Sequence, residues 1–375
     1  MVSAALGRRR VKPDAAERFA LATQLQLTWW RFKRHKLAMA SGVLVLLFYL
    51  LAMFADFLAT TDPHATNAAT SYISPQPVHF FDNGALHPYI NGLKGVRNPK
   101  TFKLVYTPDP NRKVYLQLFA HGYPYSFLGI ATDLHLVGLK DPQSGDGIYL
   151  FGTDQLGRDL WSRLMVATRV SLTIGLVGVS LSLLLGVFLG GMSAIYGGVV
   201  DTLIQRLIEV VRSMPTIPLW LGLAAAMPSS WSVTQVYFSI TIIISLLAWT
   251  DLARTVRGKF LALREEDFVM AAELAGASQT RIIFRHMLPS FLSHIIAATT
   301  LALPAMIISE TSLSFLGLGL RPPAISWGVL LQDAQSIQSL ALAPWLLITA
   351  VPVIIVILAF NFLGDGLRDA ADPYG

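Results

Sequence analysis

Five stretches of this sequence run for roughly 20 residues or more with almost no charged side chain. An α-helix needs about 20 mostly apolar residues to cross the hydrocarbon core of a bilayer, which is about 30 Å thick. Charged residues make up only 14% of the chain, whereas a typical soluble domain contains about 25%. The sequence therefore predicts an all-α polytopic membrane protein. The five stretches occupy 37–59, 170–200, 213–250, 287–309 and 334–364.

The third stretch is long enough for two helices and is interrupted by polar turn formers. Its middle reads "PSSWSVTQ", at 228–235, and such a cluster inside an apolar run favours a hairpin between two helices. The prediction is then six transmembrane helices, the first at 37–59 and the other five within 168–364. An even number of crossings places both ends of the chain on the same side.

Lysine and arginine cluster on one side of the predicted spans, in the tail 1–36 and in the loop 251–288. Short flanks rich in these residues stay in the cytoplasm. The basic tail 1–36, the loop 251–288 and the C-terminal tail 365–375 are therefore predicted to be cytoplasmic. This placement accounts for the net charge of +6, so membrane lipid rather than nucleic acid is the indicated partner.

Residues 60–167, between the first and second spans, are predicted to form a small β-containing external insertion. "TFKLVY" and "KVYLQLF" flank "TPDPNR" at 107–112, and this pattern favours a β-hairpin with a Pro-Asp turn. "DLHLVGL" and "GIYLFG" are candidates for further strands. Long external segments translocate whatever their charge, so the lysines of this region are compatible with the topology.

The cytoplasmic loop contains "REEDFVMAAELAGASQTRIIFRHMLP", which predicts two short helices that meet at a bend. Asp267 is a candidate N-cap of the first helix, and Gly276 suits the left-handed residue that ends it. Ser278 can cap the second helix, and Pro289 fits the first turn of the next span. An alternative is an amphipathic connector that lies on the lipid headgroups.

This loop resembles the EAA loop of ATP-binding-cassette importer permeases, in which a short coupling helix docks in a groove of a cytoplasmic ATPase. Met270 occupies the position of the glutamate that names the motif, and Glu273 lies one turn further on. The coupling residues that the resemblance implies are Ala271, Ala272, Glu273, Gly276, Ser278, Arg281, His286, Leu288 and Pro289.

Other stretches resemble the C-type permeases for oligopeptides, dipeptides and nickel. They are "WWRFKRHKLAMASGVLVLL", "FGTDQLGRDLWSRL", "WTDLARTVRG", "ETSLSFLGLGLRPPAISWG" and "NFLGDGLRDAADP". The resemblance implies the type I importer fold in a bacterial cytoplasmic membrane. The implied partners are a second permease in a heterodimer, two cytoplasmic ATPase subunits and an external substrate-binding protein.

Nucleotide chemistry is expected in the partner ATPases, which bind ATP and Mg, and no cofactor or catalytic residue is predicted in this chain. "RGKF" lacks the first glycine of a phosphate-binding loop, because Ala253 stands at that position. No pattern with the spacing of metal ligands is present, so no metal site is predicted.

Two groups of polar residues are predicted near the outer surface. "GTDQLGRD" is either a turn that caps the second span or, by resemblance, part of the surface where the binding protein docks. Glu310 follows a long apolar run, and an acidic residue at membrane depth is a functional candidate; alternatively it lies solvated at the outer boundary. The candidate docking and gating residues are Asp154, Gly157, Arg158, Asp159 and Glu310.

The predicted function is import of peptides by ATPase-driven alternating access. Nickel chelates and oligosaccharides are alternative cargoes for the same machinery. A secondary transporter driven by an ion gradient belongs to a different class, but it requires ionisable groups or broken helices in mid-membrane. This chain offers little besides Glu310 and His294. A membrane-anchored enzyme is a third class, and the external segment contains no compelling catalytic cluster.

Overall fold

The computed structural model describes residues 24–97, 104–141, 146–228 and 230–371, and most of these residues are helical. In chain order the helices are α1 (Gln24–Phe32), α2 (Lys36–Met53), α3 (Ala55–Leu58), α4 (Leu160–Tyr196), α5 (Gly198–Ser213), α6 (Thr216–Ala225), α7 (Val233–Arg264), α8 (Asp267–Leu274), α9 (Gln279–Arg281), α10 (Leu288–Ser290), α11 (Leu292–Phe315), α12 (Trp327–Ala334), α13 (Ile337–Leu342) and α14 (Ala350–Ala371). The strands are β1 (Val78–Asp82), β2 (Ala85–Arg97), β3 (Leu104–Phe127) and β4 (Ile130–Leu139). Short 3₁₀ turns span Ala68–Thr70 and Pro344–Thr349, and a π-helical turn spans Ile282–Met287.

Five segments of the described chain are long and apolar enough to cross a membrane: α2, α4, α7, α11 and Pro344–Ala371, which contains α14. The sixth crossing, predicted in the first part of 213–250, corresponds to α6, which follows α5 at a bend of 85°. α6 has only 10 residues and is about 15 Å long, so alone it would reach about halfway across a bilayer. These residues therefore give five spans, or six if the bent pair crosses as one broken segment.

On the side of the insertion, the first two predicted spans differ from the predicted boundaries. The first predicted span, 37–59, is interrupted at Phe54, which separates α2 from α3. α4 starts at Leu160, inside the segment 60–167 that the sequence assigns to the insertion, and it is 37 residues long. At about 1.5 Å per residue, α4 is longer than a bilayer is thick. An uncharged run therefore marks the membrane-buried part of a helix rather than its ends.

At the opposite ends of the spans, two helices again extend beyond their apolar runs. α7 continues to Arg264, inside the predicted loop 251–288. α14 continues to Ala371, inside the predicted tail 365–375. Residues 1–23 of the predicted basic tail lie outside the described part of the chain.

α4 packs closely against α7 because small residues line the contact. A Cβ atom added at Gly190 would lie 2.4 Å from the carbonyl oxygen of Ala253, so only glycine allows this approach. Two hydroxyl groups bridge the same pair of helices: Ser245 Oγ donates to the Gly178 carbonyl at 3.0 Å, and Ser182 Oγ donates to the Ser245 carbonyl at 3.1 Å. Small residues and interhelical hydrogen bonds stabilise helix pairs in lipid, where apolar burial alone does not favour association.

The insertion is a four-stranded antiparallel sheet in the order β1-β2-β3-β4. Its small core contains Ile90, Val114, Leu116 and Ile148. The sheet confirms the predicted β-containing insertion, and β4 contains the predicted strand "DLHLVGL".

The predicted hairpin around "TPDPNR" is wrong. β3 runs through this segment without a turn and pairs with β2 on both sides of it. The register steps from Asn91↔Lys113 to Gly92↔Asp109, so residues 110–112 form a bulge, which bends a strand without ending it. Pairing with β2 on both sides of the bulge outweighs the local preference of these residues for a turn. "GIYLFG" does not form a strand, although Ile148 contributes to the core of the sheet.

Candidate functional site

α8 is a short helix in the predicted coupling loop, and a complete C-terminal cap ends it. Gly276 has a φ of +76°, in the left-handed region, and its N–H donates to the Glu273 carbonyl at 2.9 Å. The Ala277 N–H donates to the Ala272 carbonyl at 3.0 Å. This pair of bonds is the Schellman motif, for which glycine is the favoured residue. The predicted role of Gly276 as the helix-ending residue is confirmed.

One face of α8 is packed against the ends of the membrane helices. Val269 is buried in a cluster with Phe260 of α7, with Ile282 and Met287 of the π-helical turn, and with Phe291, which precedes α11. Phe260 and Phe291 meet edge to face, with ring centroids 5.2 Å apart. α8 is thus attached through one apolar cluster to both α7 and α11, so a displacement of α8 would be transmitted to both spans.

Outside the buried contact of Val269, α8 exposes large apolar side chains, and Met270 and Leu274 lie on one face, one turn apart. Leu274 is 91% exposed, Met270 44% and Phe268 41%. The sequence analysis named Met270 only as the residue at the position of the motif glutamate, and it did not single out Phe268 or Leu274. A signal was available, because Leu274 lies two positions before the helix-ending glycine and is the last helical residue.

The N-terminal end of α8 differs from the prediction. Asp267 is the first helical residue, and the N-cap is Glu266, which makes no side-chain capping bond. Asp267 nevertheless places an acidic group in the first turn, where negative charge is favourable.

The remaining predicted coupling residues follow the bend. Ser278 caps α9, as predicted, by accepting a hydrogen bond from the Arg281 N–H. The side chain of Arg281 is exposed, whereas His286 and Leu288 are half-buried. Pro289 lies in α10, one short turn before α11, rather than in the first turn of the span.

The residues of "GTDQLGRD" form a buried ionic network at the start of α4. Asp154 is 1% exposed and accepts hydrogen bonds from Arg158 Nε at 2.6 Å and from Arg163 of α4. Both arginines also donate to Asp333 Oδ2, Arg158 at 3.1 Å and Arg163 at 3.0 Å. Asp333 belongs to α12, so the network ties this loop and α4 to α12. Arg163 is 1% exposed, and the sequence analysis did not single it out.

Asp159 confirms the prediction of a turn that caps the second span. It is the N-cap of α4 and accepts from the Ser162 N–H at 2.8 Å and from Ser162 Oγ at 2.6 Å. Thr60 Oγ1 donates to the same carboxylate oxygen at 3.2 Å, which joins the end of the first span to the start of α4. A Cβ at Gly157 would lie 1.9 Å from the Asn67 carbonyl oxygen, so this turn requires glycine.

Asp159 is also expected to make the stability of the protein depend on pH. Burial raises the pKa of Asp159 from 3.8 to about 6, against hydrogen bonds from Ser162 and Thr60 that lower it. A carboxyl group whose pKa is raised in the folded state stabilises the fold below pH 3.8, and this contribution is lost as the pH rises through about 6. The full contribution is about 3 kcal/mol, at about 1.4 kcal/mol per pKa unit.

We therefore expect Asp159→Asn, which keeps an N-capping oxygen, to remove this part of the pH dependence. Thermal unfolding in detergent at pH 5 and pH 7.5 measures the effect. Relative to the unchanged chain, the variant should gain more than about 1 kcal/mol on going to the higher pH. Parallel pH profiles for the two proteins would contradict the assignment.

Glu310 of α11 is completely buried, so its alternative placement as a solvated residue at the outer boundary is wrong. Ser314 Oγ donates to Glu310 Oε1 at 2.8 Å, and Ser171 Oγ of α4 donates to Oε2 at 3.1 Å. The two serines in turn accept from the backbone N–H groups of Leu320 at 3.0 Å and Trp327 at 3.1 Å. Glu310 therefore holds the loop between α11 and α12 against α4.

A cavity of about 550 Å³ lies among α4, α6, α7 and α11. Its wall combines apolar residues with hydroxyl groups, including those of Ser182, Thr250 and Thr299, and it includes the ion pair between Arg212 and Asp251. A cavity with both apolar and polar walls inside a membrane bundle is suited to hold a polar solute during passage.

These features together define a class of protein. A bundle of membrane helices lines a partly polar, partly open cavity, and a small helix that packs against two of the spans exposes large apolar side chains. This is the construction of a multi-pass transport protein.

The sequence comparisons identify the family. A model described as the binding-protein-dependent transport system inner membrane component matches residues 182–374. A second model, the N-terminal transmembrane domain of oligopeptide transport permease C, matches residues 23–75. The chain belongs to the family of binding-protein-dependent transport system inner membrane components. It is therefore a membrane component of a bacterial ATP-binding-cassette importer, located in the inner membrane, and a transport component rather than a catalytic one.

Curated relatives match over most of their lengths. The dipeptide transport system permease protein DppC of Lactococcus lactis is 32% identical over 363 residues, which cover 96% of this chain and 94% of the relative. The oligopeptide transport system permease proteins OppC of Bacillus subtilis and Haemophilus influenzae are 35% and 39% identical, over 64% and 61% of this chain and over 75% and 71% of the relatives. The resemblance to C-type permeases is confirmed.

Among solved structures, an inward-facing conformation of the MetNI methionine ABC transporter is similar to this chain. The two share 18% sequence identity, with a TM-score of 0.45, over 57% of this chain and 97% of that one.

Proposed function

We propose that this chain is the permease subunit of a peptide importer that works by ATPase-driven alternating access. The relatives named above are permeases of oligopeptide and dipeptide transport systems, which supports peptides over nickel chelates or oligosaccharides as the cargo. The observation that carries the mechanism is the exposed apolar pair of Met270 and Leu274 on one face of α8.

The coupling step follows from how α8 is attached. An exposed apolar patch with bulky side chains suits a hydrophobic groove on a partner protein. The other face of α8 shares a buried cluster with α7 and α11, and both spans contribute to the wall of the cavity. Closure of a partner that grips α8 would therefore move two walls of the cavity together. The partner must bind the two conformations of the bundle with different affinities, since otherwise no shift in population results.

The assembly includes two cytoplasmic ATPase subunits, a second permease in a heterodimer and an external binding protein. Bound ATP and Mg in the ATPases supply the free energy by hydrolysis, and this chain contributes the helix that receives the movement. The second permease would face the cavity and complete the path. The bent pair α5 and α6 would count as a sixth crossing, which gives the type I importer fold with both termini in the cytoplasm.

The outer residues fit into the same scheme. Asp154, Gly157, Arg158 and Asp159 brace the segment that leads into α4, and this segment would form part of the surface where the binding protein docks. The loop that Glu310 holds against α4 would then be the outer gate. In this scheme, residues 60–167 form the external insertion, except for the start of α4. Residues 251–288 form the coupling loop, except for the end of α7.

Reconstitution of the assembled complex tests this function. Proteoliposomes that contain the permeases and the ATPases are loaded with ATP and Mg, the binding protein is added outside, and uptake of a labelled peptide is measured. Uptake that requires internal ATP and persists when ion gradients are collapsed would support the proposal. Uptake driven by an ion gradient without ATP would identify a secondary transporter instead. Competition by unlabelled peptide, by a nickel chelate and by an oligosaccharide distinguishes the three cargoes.

A further inference from the structure

The hairpin formed by β3 and β4 ends in large apolar side chains that no described residue covers. Leu128 is 79% exposed and Ile130 is 71% exposed. They flank Gly129 at the tip of the hairpin, whose last paired residues are Phe127 and Ile130. Exposed apolar side chains are unremarkable singly, but two at one turn form a patch that calls for a partner.

The backbone of this turn makes the presence of Leu128 informative. Leu128 and Gly129 have φ values of +50° and +87°, as expected for a two-residue type I′ turn, for which Asn-Gly is strongly preferred. The β1–β2 turn of the same sheet has the same form, and there Asn83 and Gly84 have φ values of +47° and +82°. In the β3–β4 turn, Leu128 takes the place that Asn83 has in the β1–β2 turn. The left-handed backbone disfavours leucine there, and no described residue shields its exposed side chain from water. An exposed leucine in a strained turn position indicates a contact outside the chain that offsets both costs.

Contacts between the hairpin and the first span show which way the tip points. Phe119 of β3 lies near Phe57, with ring centroids 6.2 Å apart. Closer to the tip, Phe127 is stacked on Phe54, at 5.4 Å and an interplanar angle of 17°. Between Phe119 and Phe127, β3 therefore runs from a position beside α3 to a position beside the C-terminal end of α2. Because α2 is a membrane span, the hairpin points toward the bilayer.

A third contact fixes the hairpin in this orientation. His135 of β4 is buried, and its Nδ1 lies 2.9 Å from the carbonyl oxygen of Asp56 in α3. Its Nε2 lies 3.0 Å from the carbonyl oxygen of Tyr123 on β3. One imidazole ring thus joins both strands to the helix that continues the first span.

We propose that the tip of this hairpin, Phe127 to Ile130, inserts into the lipid leaflet beside the outer end of α2. The apolar surface of the tip continues the lipid-facing surface of α2, where Leu50 and Met53 are also exposed. The stacked rings of Phe54 and Phe127 join the two surfaces without a polar residue between them. Lipid is the partner that this continuity indicates, since the same leaflet already covers α2.

A polar pair marks the depth at which insertion stops. His121 Nδ1 lies 2.8 Å from Asp133 Oδ1, and both side chains are exposed. They lie on β3 and β4 behind the apolar tip, so the proposed insertion leaves both side chains outside the hydrocarbon core. The insertion would then be anchored at two points, through α3 and through the lipid, which restricts its rotation relative to the bundle.

Spin labelling of the full chain in lipid bilayers tests the proposal. The natural sequence contains no cysteine, so Leu128→Cys and Ile130→Cys each provide a unique site. Asn111→Cys, in the exposed bulge of β3, is the control on the same sheet. Oxygen concentrates in lipid and a charged nickel chelate stays in water, so the ratio of their collision rates with the label reports its depth.

Lipid contact predicts that oxygen collisions dominate at positions 128 and 130 and that nickel-chelate collisions dominate at position 111. Equal nickel access at all three positions would show that the tip is in water and would overturn the proposal. Low access of both reagents at 128 and 130 would show that protein covers the tip, which would also overturn it. If Leu128→Cys fails to fold, Ile130→Cys still provides the measurement, because Ile130 lies in the paired strand rather than in the turn.

Discussion

Gly276→Val will reduce ATP-dependent uptake at least about tenfold while the assembled complex continues to hydrolyse ATP. Gly276 has a φ of +76°, and a left-handed conformation costs an L-residue about 1–2 kcal/mol, with β-branched side chains especially disfavoured. Relief of that strain would open the Schellman cap and rotate the end of α8. A change of about 1.4 kcal/mol corresponds to a tenfold shift in population, so we expect uptake to fall at least about tenfold.

The comparison that isolates the bend is Gly276→Asn. Asparagine is the other residue that adopts the left-handed cap conformation readily, so this variant should retain most of the uptake. No described atom lies within 4 Å of an added Cβ at this position, so steric overlap within the chain does not account for the difference. Uptake by Gly276→Val equal to that of the unchanged complex would refute the coupling role of the bend.

A second substitution separates the docking face from the fold of α8. Leu274→Ser removes an apolar side chain that is 91% exposed, so the stability of the isolated permease should change by less than about 0.5 kcal/mol. Loss of ATPase binding in this variant, with unfolding unchanged, would assign Leu274 to the docking surface.

The bend after α8 could be predicted from the sequence, because the residues that determine it are neighbours along the chain. Gly276 and Ser278 lie in conformations that their own side chains, or the lack of one, favour. Helix caps depend on a few neighbouring residues, and the surrounding fold seldom overrides them. The uncharged stretches were informative for a similar reason, since a bilayer imposes the same requirement on every span.

Prediction failed where a distant partner decided the outcome. The segment "TPDPNR" has the composition of a turn, but β2 offers a partner strand on both sides of it, so β3 continues through a bulge. The sequence also allowed Glu310 to lie at the outer boundary, because the hydroxyl groups that surround it come from different segments. Ser171, for example, is 139 residues away along the chain. Arg163 resembles an ordinary interfacial arginine until α12 brings Asp333 to it. In each case the deciding residue is remote in sequence.

Asp154→Ala is the substitution for which we expect the largest loss of stability. It leaves Arg163, which is 1% exposed, with Asp333 as its remaining acidic partner, and it brings two arginines together without the carboxylate between them. It also removes the acceptor of the Leu156 and Arg158 N–H groups, at 2.8 Å and 3.0 Å. Removal of one partner from a buried ion pair typically costs about 3–5 kcal/mol.

Two milder variants test whether the loss arises from the network. Asp154→Asn keeps an acceptor for the backbone N–H groups but removes the charge, so it should be intermediate. Asp333→Asn should cost least, because the side chain of Asp333 is 26% exposed and Asp154 still pairs with both arginines. Thermal unfolding of the purified chain in detergent gives the order. If Asp154→Ala unfolds at the temperature of the unchanged protein, the buried network does not stabilise the contact between α4 and α12, since two arginines that share one carboxylate would have to lower that temperature.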